Sequence, residues 1–157
     1  MPKILFVCHG NICRSPMAEY VLKHLVAQRG QKEDFTIASA ATSTEEIGNP
    51  VHRGTKRKLS EVGIPMDQRS AVQLRKSDYH TYDYLIGMDS HNIRNMLRIL
   101  GGDPEKKVYR LLDFTSSPRD IADPWYTGNF DITYHDIMEG CTSLLEQIGA
   151  ARKGNRH

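Results

Sequence analysis

Apolar positions along the chain fall into two alternating spacings. KILFV, residues 3–7, is a short continuous apolar run of the kind buried in a parallel sheet. Beyond it Met17, Val21 and Leu25 recur four apart with Ala18 and Leu22 beside them, which predicts a helix ended by Gly30. Ser15 stands where the N-cap of that helix belongs and Pro16 at its first position. Residues 35–39 read as a second strand. NPVHRGTKRKLSEVGIP predicts a basic, solvent-facing helix closed by Gly63 and Pro65. Residues 82–88 make a third strand, DSHNIRNMLRILGG a helix capped by Asp89 or Ser90, and residues 108–114 a fourth strand. A final helix over 131–150 buries Tyr134, Ile137, Cys141, Leu144 or Leu145, and Ile148.

Strands alternating with helices predict an α/β domain: a four-stranded parallel sheet with helices on both faces. Ligands of such sheets bind beyond the carboxyl ends of the strands, which draws attention to the loop after the first strand. No repeat, low-complexity block or linker interrupts the 157 residues, so one domain is expected over 1–157, with 152–157 a frayed tail.

Composition adds mainly exclusions. A net charge of +2 is too mild to point to nucleic acid or an anionic membrane as the main partner. No apolar run approaches the roughly 18 residues of a membrane span, and MPKILFV lacks the long apolar region of a signal peptide. Three cysteines, an odd and small number, suggest a reducing, cytoplasmic setting.

The loop CHGNICRSP changes the picture. A chain curling from a strand into a helix turns several backbone N–H groups inward, where the helix dipole adds positive potential. Gly10 leaves room for a tight turn, and Asn11 tolerates left-handed dihedrals while its amide braces the loop. Arg14 supplies a planar fork able to grip two oxygens of a tetrahedral dianion. Cys8, at the strand's end, faces that ring of donors, surroundings that favour a thiolate and bind phosphate by the same field. Ser15 is placed to donate to the sulfur when it leaves. Taken singly these residues are ordinary: a cysteine is most often a small buried hydrophobe, an arginine a solvated charge, a serine a cap. The complete string between a buried strand and a helix is far more specific. It lacks the Gly-Lys-Ser/Thr ending of a nucleotide-binding loop, and Cys8 and Cys13 lack zinc-ligand spacing.

CHGNICRSPMAE resembles the phosphate-binding loop of the low-molecular-weight protein tyrosine phosphatases, with its Cys-x5-Arg-Ser near the N-terminus. SAATSTEEIGNP, GIPMD, YDYLIGMDSHN and DPWYTG resemble later blocks of that family in the expected order. The resemblance implies a phosphatase with neither metal nor other cofactor, acting on phosphotyrosine proteins or small aryl phosphates and releasing inorganic phosphate. A monomer or weak dimer is expected. Cys8, Arg14 and Asp123 would be catalytic, and His9, Gly10, Asn11, Ile12, Cys13 and Ser15 would line the phosphate site. Asp-Pro alone is usually a turn, but the resemblance makes Asp123 the general acid that protonates the leaving oxygen. Trp125 and Tyr126 would sit on the rim, to stack on an aryl phosphate or merely to pack. Loop tyrosines of the family are phosphorylated, and here Tyr126 alone remains. Cys13 would act as a redox guard that pairs with oxidised Cys8, or else simply fill space beneath the loop.

The chain also departs from that pattern. Glu45 stands where eukaryotic members often carry an aromatic residue, which should repel acidic peptides. MDQRSAVQL lacks the family's His-x-Ala-Arg run, so the loop must be braced from elsewhere. His9 either adds positive charge at the rim or stands exposed and uncommitted. An arsenate reductase would need further relay cysteines, whereas Cys141 falls on the apolar face of the last helix. A protein-arginine phosphatase would carry Thr after the loop Asn, where this chain has Ile12. A phosphate-binding or redox-sensing module without turnover is disfavoured by Cys8, Arg14 and Asp123 occurring together.

Overall fold

A computed structural model describes residues 1–154. Four parallel strands form one sheet in the order β2-β1-β3-β4: β1 Lys3–Cys8, β2 Thr36–Ala41, β3 Tyr84–Gly87 and β4 Val108–Arg110. Between them run α1 Arg14–Gln28, α2 Arg53–Glu61, the short α3 Asp78–Thr81 and α4 Ser90–Leu100. A single turn, α5 Pro124–Thr127, precedes the long α6 Phe130–Gly154.

Side chains of β1 alternate between two cores, as the period of a pleated strand requires. Ile4, Phe6 and Cys8 join Met17, Val21 and Leu22 of α1 and Ile137, Cys141, Leu144 and Leu145 of α6. Leu5 and Val7 face Ala40, Leu85, Met96 and Leu100 on the α4 side. Both alternatives offered for the last helix, Leu144 and Leu145, are buried. The sheet is thus covered on both faces, and β1 is central, so its carboxyl end at Cys8 is held from both sides.

Several predicted boundaries shift. The second strand lies at 36–41 and the third is shorter than 82–88. The fourth strand ends at Arg110, because Leu111–Phe114 wind into a 3-10 turn that buries Leu111 and Leu112 beneath α6. An apolar run looks the same in either conformation, and the packing of α6 decides. The last helix starts at Phe130 and continues through Gly154, so residues 152–154 of the expected tail are helical; 155–157 lie outside the described residues. The predicted N-cap at Ser15 does not form. Cys13 takes the cap position without a side-chain hydrogen bond, and Ser15 is the second helical residue.

Candidate active site

The loop between β1 and α1 curls around the Cys8 sulfur. The backbone N–H groups of Asn11 and Ser15 donate to Sγ at 3.3 and 3.4 Å, and Ser15 Oγ lies 3.0 Å away. This explains the missing cap: the Ser15 N–H, in the first turn of α1, is aimed at the sulfur and needs no capping side chain. Asn11 has φ 58°, the left-handed conformation that asparagine tolerates, and its backbone N–H thereby points inward. Gly10 does not have a positive φ, and a Cβ there would press on the Glu46 stem at 3.3 Å.

Hydrogen-bond directions in the floor follow from a single fixed acceptor. The Glu19 carboxylate can only accept, so the Ser39 hydroxyl donates to it at 2.5 Å. Ser39 Oγ is then free to accept from Asn11 Nδ2 at 2.9 Å. The same amide nitrogen donates to Ser15 Oγ at 2.8 Å, which leaves the Ser15 hydrogen for the Cys8 sulfur. Asn11 Oδ1 must therefore face the other way, and there it accepts from Arg69 Nη2 and from Val72 N at 3.2 Å. Arg69 Nη1 also donates to the Asn11 carbonyl at 3.3 Å. The brace lies within MDQRSAVQL after all, in Arg69. Lys23 closes the outer end of the chain on Glu19 at 2.6 Å.

Arg14 is almost wholly buried beside this floor. Its Nη1 donates to Asp89 Oδ2 at 2.7 Å and to the Ile121 carbonyl at 2.8 Å. Asp89 is held in turn as the N-cap of α4, accepting from Asn92 N at 2.8 Å. Burial works against the Arg14 charge, but Cys8, Asp89 and Asp123 outweigh it and push the guanidinium pKa up. The cation is permanent at any working pH.

Asp123 reaches over from the other side. Its Oδ2 lies 3.5 Å from Arg14 Nη2, and its Oδ1 accepts from Trp125 N at 3.0 Å as the cap of α5. The segment is anchored by Ile121 N, which donates to the Met88 carbonyl at 2.9 Å. A cleft of about 110 Å³ opens above Cys8, lined by His9, Gly10, Ile12, Cys13, Arg14, Glu45, Glu46, Asp123, Trp125 and Tyr126. Every residue predicted for the site thus lines this cleft or, for Asn11 and Ser15, lies directly beneath it. His9 is not uncommitted: its Nε2 meets Glu45 Oε2 at 3.3 Å, so the two rim side chains face each other. Tyr126 is 83% exposed.

Sequence reasoning missed Asp89 as a ligand of Arg14, and it missed Arg69, Glu19, Ser39 and His52. His52 N donates to the Ile12 carbonyl at 2.8 Å, and its ring lies between Phe130, stacked at 5.4 Å, and Trp125, edge-on at 5.6 Å. The signal for Asp89 and Glu19 was charge placed against an apolar pattern; Arg69 and His52 had none.

The comparisons agree on one family. A model described as "Low molecular weight phosphotyrosine protein phosphatase" matches residues 3–154. YfkJ, a low molecular weight protein-tyrosine-phosphatase of Bacillus subtilis, is 41% identical over 94% of this chain and 96% of its own. The YfkJ crystal structure superposes with a TM-score of 0.93 at 39% identity, covering 96% of each chain. PtpA of Staphylococcus aureus is 32% identical over 94% of each chain. The low molecular weight protein tyrosine phosphatase SP-PTP of Streptococcus pyogenes is 37% identical, with a TM-score of 0.87 over 100% of this chain and 99% of that one. The chain belongs to the low molecular weight protein tyrosine phosphatase family, and its activity is that of a protein tyrosine phosphatase.

Proposed function

We propose that this phosphatase hydrolyses phosphotyrosine in proteins, and small aryl phosphates, by two displacements through a phosphocysteine. The Cys8 thiolate attacks phosphorus in line; the S–P bond forms as the P–O bond to the phenol breaks. Asp123 delivers its proton to the departing oxygen. Arg14 and the N–H groups of the loop hold the equatorial oxygens as charge builds on them. Asp123, now a carboxylate, then takes a proton from water as that water attacks phosphorus. Inorganic phosphate departs and the thiolate returns, with the Ser15 hydroxyl supporting it as leaving group.

The observation that carries this reading is the convergence of three groups on one cleft. The sulfur sits at the bottom under two N–H donors and a hydroxyl, the guanidinium at one wall, and the Asp123 carboxylate 3.5 Å from it. Trp125 and Tyr126 flank the opening, where an aryl ring would lie. No described helix is long and apolar enough to cross a membrane.

The test is a panel of para-nitrophenyl phosphate and of phosphotyrosine, phosphoserine and phosphoarginine peptides, with a chelator and no added metal. The aryl and phosphotyrosine substrates should turn over, and Cys8→Ser should abolish turnover while still binding vanadate. Preference for phosphoarginine, dependence on metal, or activity in Cys8→Ser would overturn the reading.

A further inference from the structure

The cleft above Cys8 is lined by Glu45 and Glu46 as well as by Trp125. Beyond Trp125 lies a second, larger open groove of about 670 Å³ between α2 and residues 127–131. The two hollows share a wall of two rings: Trp125 lines the cleft, and His52, edge-on to it at 5.6 Å, lines the groove.

The charges of the groove do not cancel. Lys58 is committed, with Nζ 2.7 Å from Asp131 and 3.3 Å from Glu61. Arg53 and Arg57 are exposed, and neither has an ion pair or side-chain hydrogen bond among the described residues. They stand four apart on α2, on one helix face and in one groove. The shape is preformed. A Cβ at Gly54 would lie 2.3 Å from Phe130 Cζ, so glycine lets that ring sit directly on the helix and stack on His52. Thr55 Oγ1 donates to the Cys13 carbonyl at 3.0 Å, which fixes α2 to the phosphate loop itself.

We infer that this groove receives an acidic stretch of the substrate protein, its carboxylates held by Arg53 and Arg57 while the phosphotyrosine occupies the Cys8 cleft. Guanidinium forks grip carboxylates in two-point hydrogen bonds, and a rigid groove holds them with little ordering cost. Glu45 and Glu46, which line the cleft and not the groove, repel the same carboxylates. The two rims together orient the substrate, with acidic residues toward α2. The inference rests on the phosphotyrosine reading and adds a specificity determinant to it.

Two phosphotyrosine peptides test it, identical except that Glu and Asp flanking the phosphotyrosine become Gln and Asn. At low ionic strength kcat/KM for the acidic peptide should exceed that for the neutral one by about threefold to tenfold. Arg53→Glu combined with Arg57→Glu should bring the ratio below one, and about 0.5 M salt should erase it in the parent. Each ratio is taken on one preparation, so any loss of folded enzyme cancels. Equal hydrolysis of both peptides by the parent, or an unchanged ratio in the double variant, overturns the inference alone. Hydrolysis of neither peptide would overturn the phosphotyrosine reading, and this inference with it.

Discussion

At the floor of the cleft, Asn11, Ser15, Ser39 and Arg14 are buried and hydrogen-bonded, and Asn11, Ser39 and Arg14 are bonded to partners far away in sequence. At the rim, Trp125 is 56% exposed and Tyr126 still more, while His9 and Glu45 share one long contact. Among the described residues a single buried side-chain polar atom lacks a partner, Thr42 Oγ1, and it belongs to neither group. A satisfied, buried network has one arrangement, whereas exposed side chains can adapt to what arrives. The floor thus serves the atoms common to every substrate, the phosphoryl oxygens and the sulfur. The rim serves what differs between substrates. Floor substitutions should lower all rates together, and rim substitutions should change ratios.

Asp123 gives the largest effect expected of the rim. Asp123→Asn keeps an oxygen to accept from Trp125 N but carries no proton to transfer. Loss of a general acid costs about a hundredfold or more where the leaving group needs its proton. Para-nitrophenolate leaves unaided, tyrosine does not. The expected loss is therefore about a hundredfold on a phosphotyrosine peptide and no more than about tenfold on para-nitrophenyl phosphate. Steady-state kinetics on both substrates checks it, and equal losses would move the acid role to another residue.

Arg69 gives the opposite pattern. Its guanidinium touches Asn11 at two oxygens and does not line the cleft. Arg69→Met keeps the stem and removes the donors, leaving the Asn11 carbonyl without that partner at a cost of about 1–3 kcal/mol in stability. The rate should fall about tenfold or less, by the same factor on both substrates. Arg69→Lys should restore little, because one ammonium cannot serve both oxygens. Thermal unfolding and the two-substrate ratio together check this; a changed ratio would place Arg69 at the rim instead.

The same division governs what was legible in the sequence. Cys8, Asn11 and Arg14 could be read because they are neighbours in the chain, where spacing carries geometry. Asp123 could be read because a family block marks it. The partners that hold them could not: Arg14 meets Asp89 across 75 positions and Asn11 meets Arg69 across 58, and no local pattern records such a contact. Ser15 was misread as a cap for a related reason. Cap and sulfur ligand use the same residue type at the same place, and only the sulfur beneath it decides. The main strands and helices were open to reading from period and punctuation; the single-turn helices α3 and α5 are too short to carry a period, and at 111–114 packing under α6 overrides a strand-like run.

Cys13 lies outside the hydrogen-bonded floor network and has little to do in turnover. It is 4% exposed, packed with Ile12, Ala71 and Phe130. Burial, then the charges of Cys8 and Asp123, push its thiol up to about 12. At neutral pH it is therefore uncharged, and Cys13→Ser should keep most of the initial rate. Its role should appear only after oxidation. Peroxide converts the Cys8 thiolate to a sulfenic acid, and with that the Cys8 charge opposing Cys13 ionisation disappears. The Cys13 sulfur then attacks the Cys8 sulfur; an S–S bond forms, hydroxide leaves and carries off the Cys13 proton as water. Closure should quicken as pH rises, because burial still disfavours Cys13 ionisation and the attacking thiolate fraction grows with pH. Dithiothreitol should restore the parent fully and Cys13→Ser poorly, since an unguarded sulfenic acid proceeds to irreversible acids. Mass spectrometry of the oxidised parent should find Cys8 linked to Cys13. Equal recovery of the two proteins, with no such linkage, would leave Cys13 as packing beneath the loop.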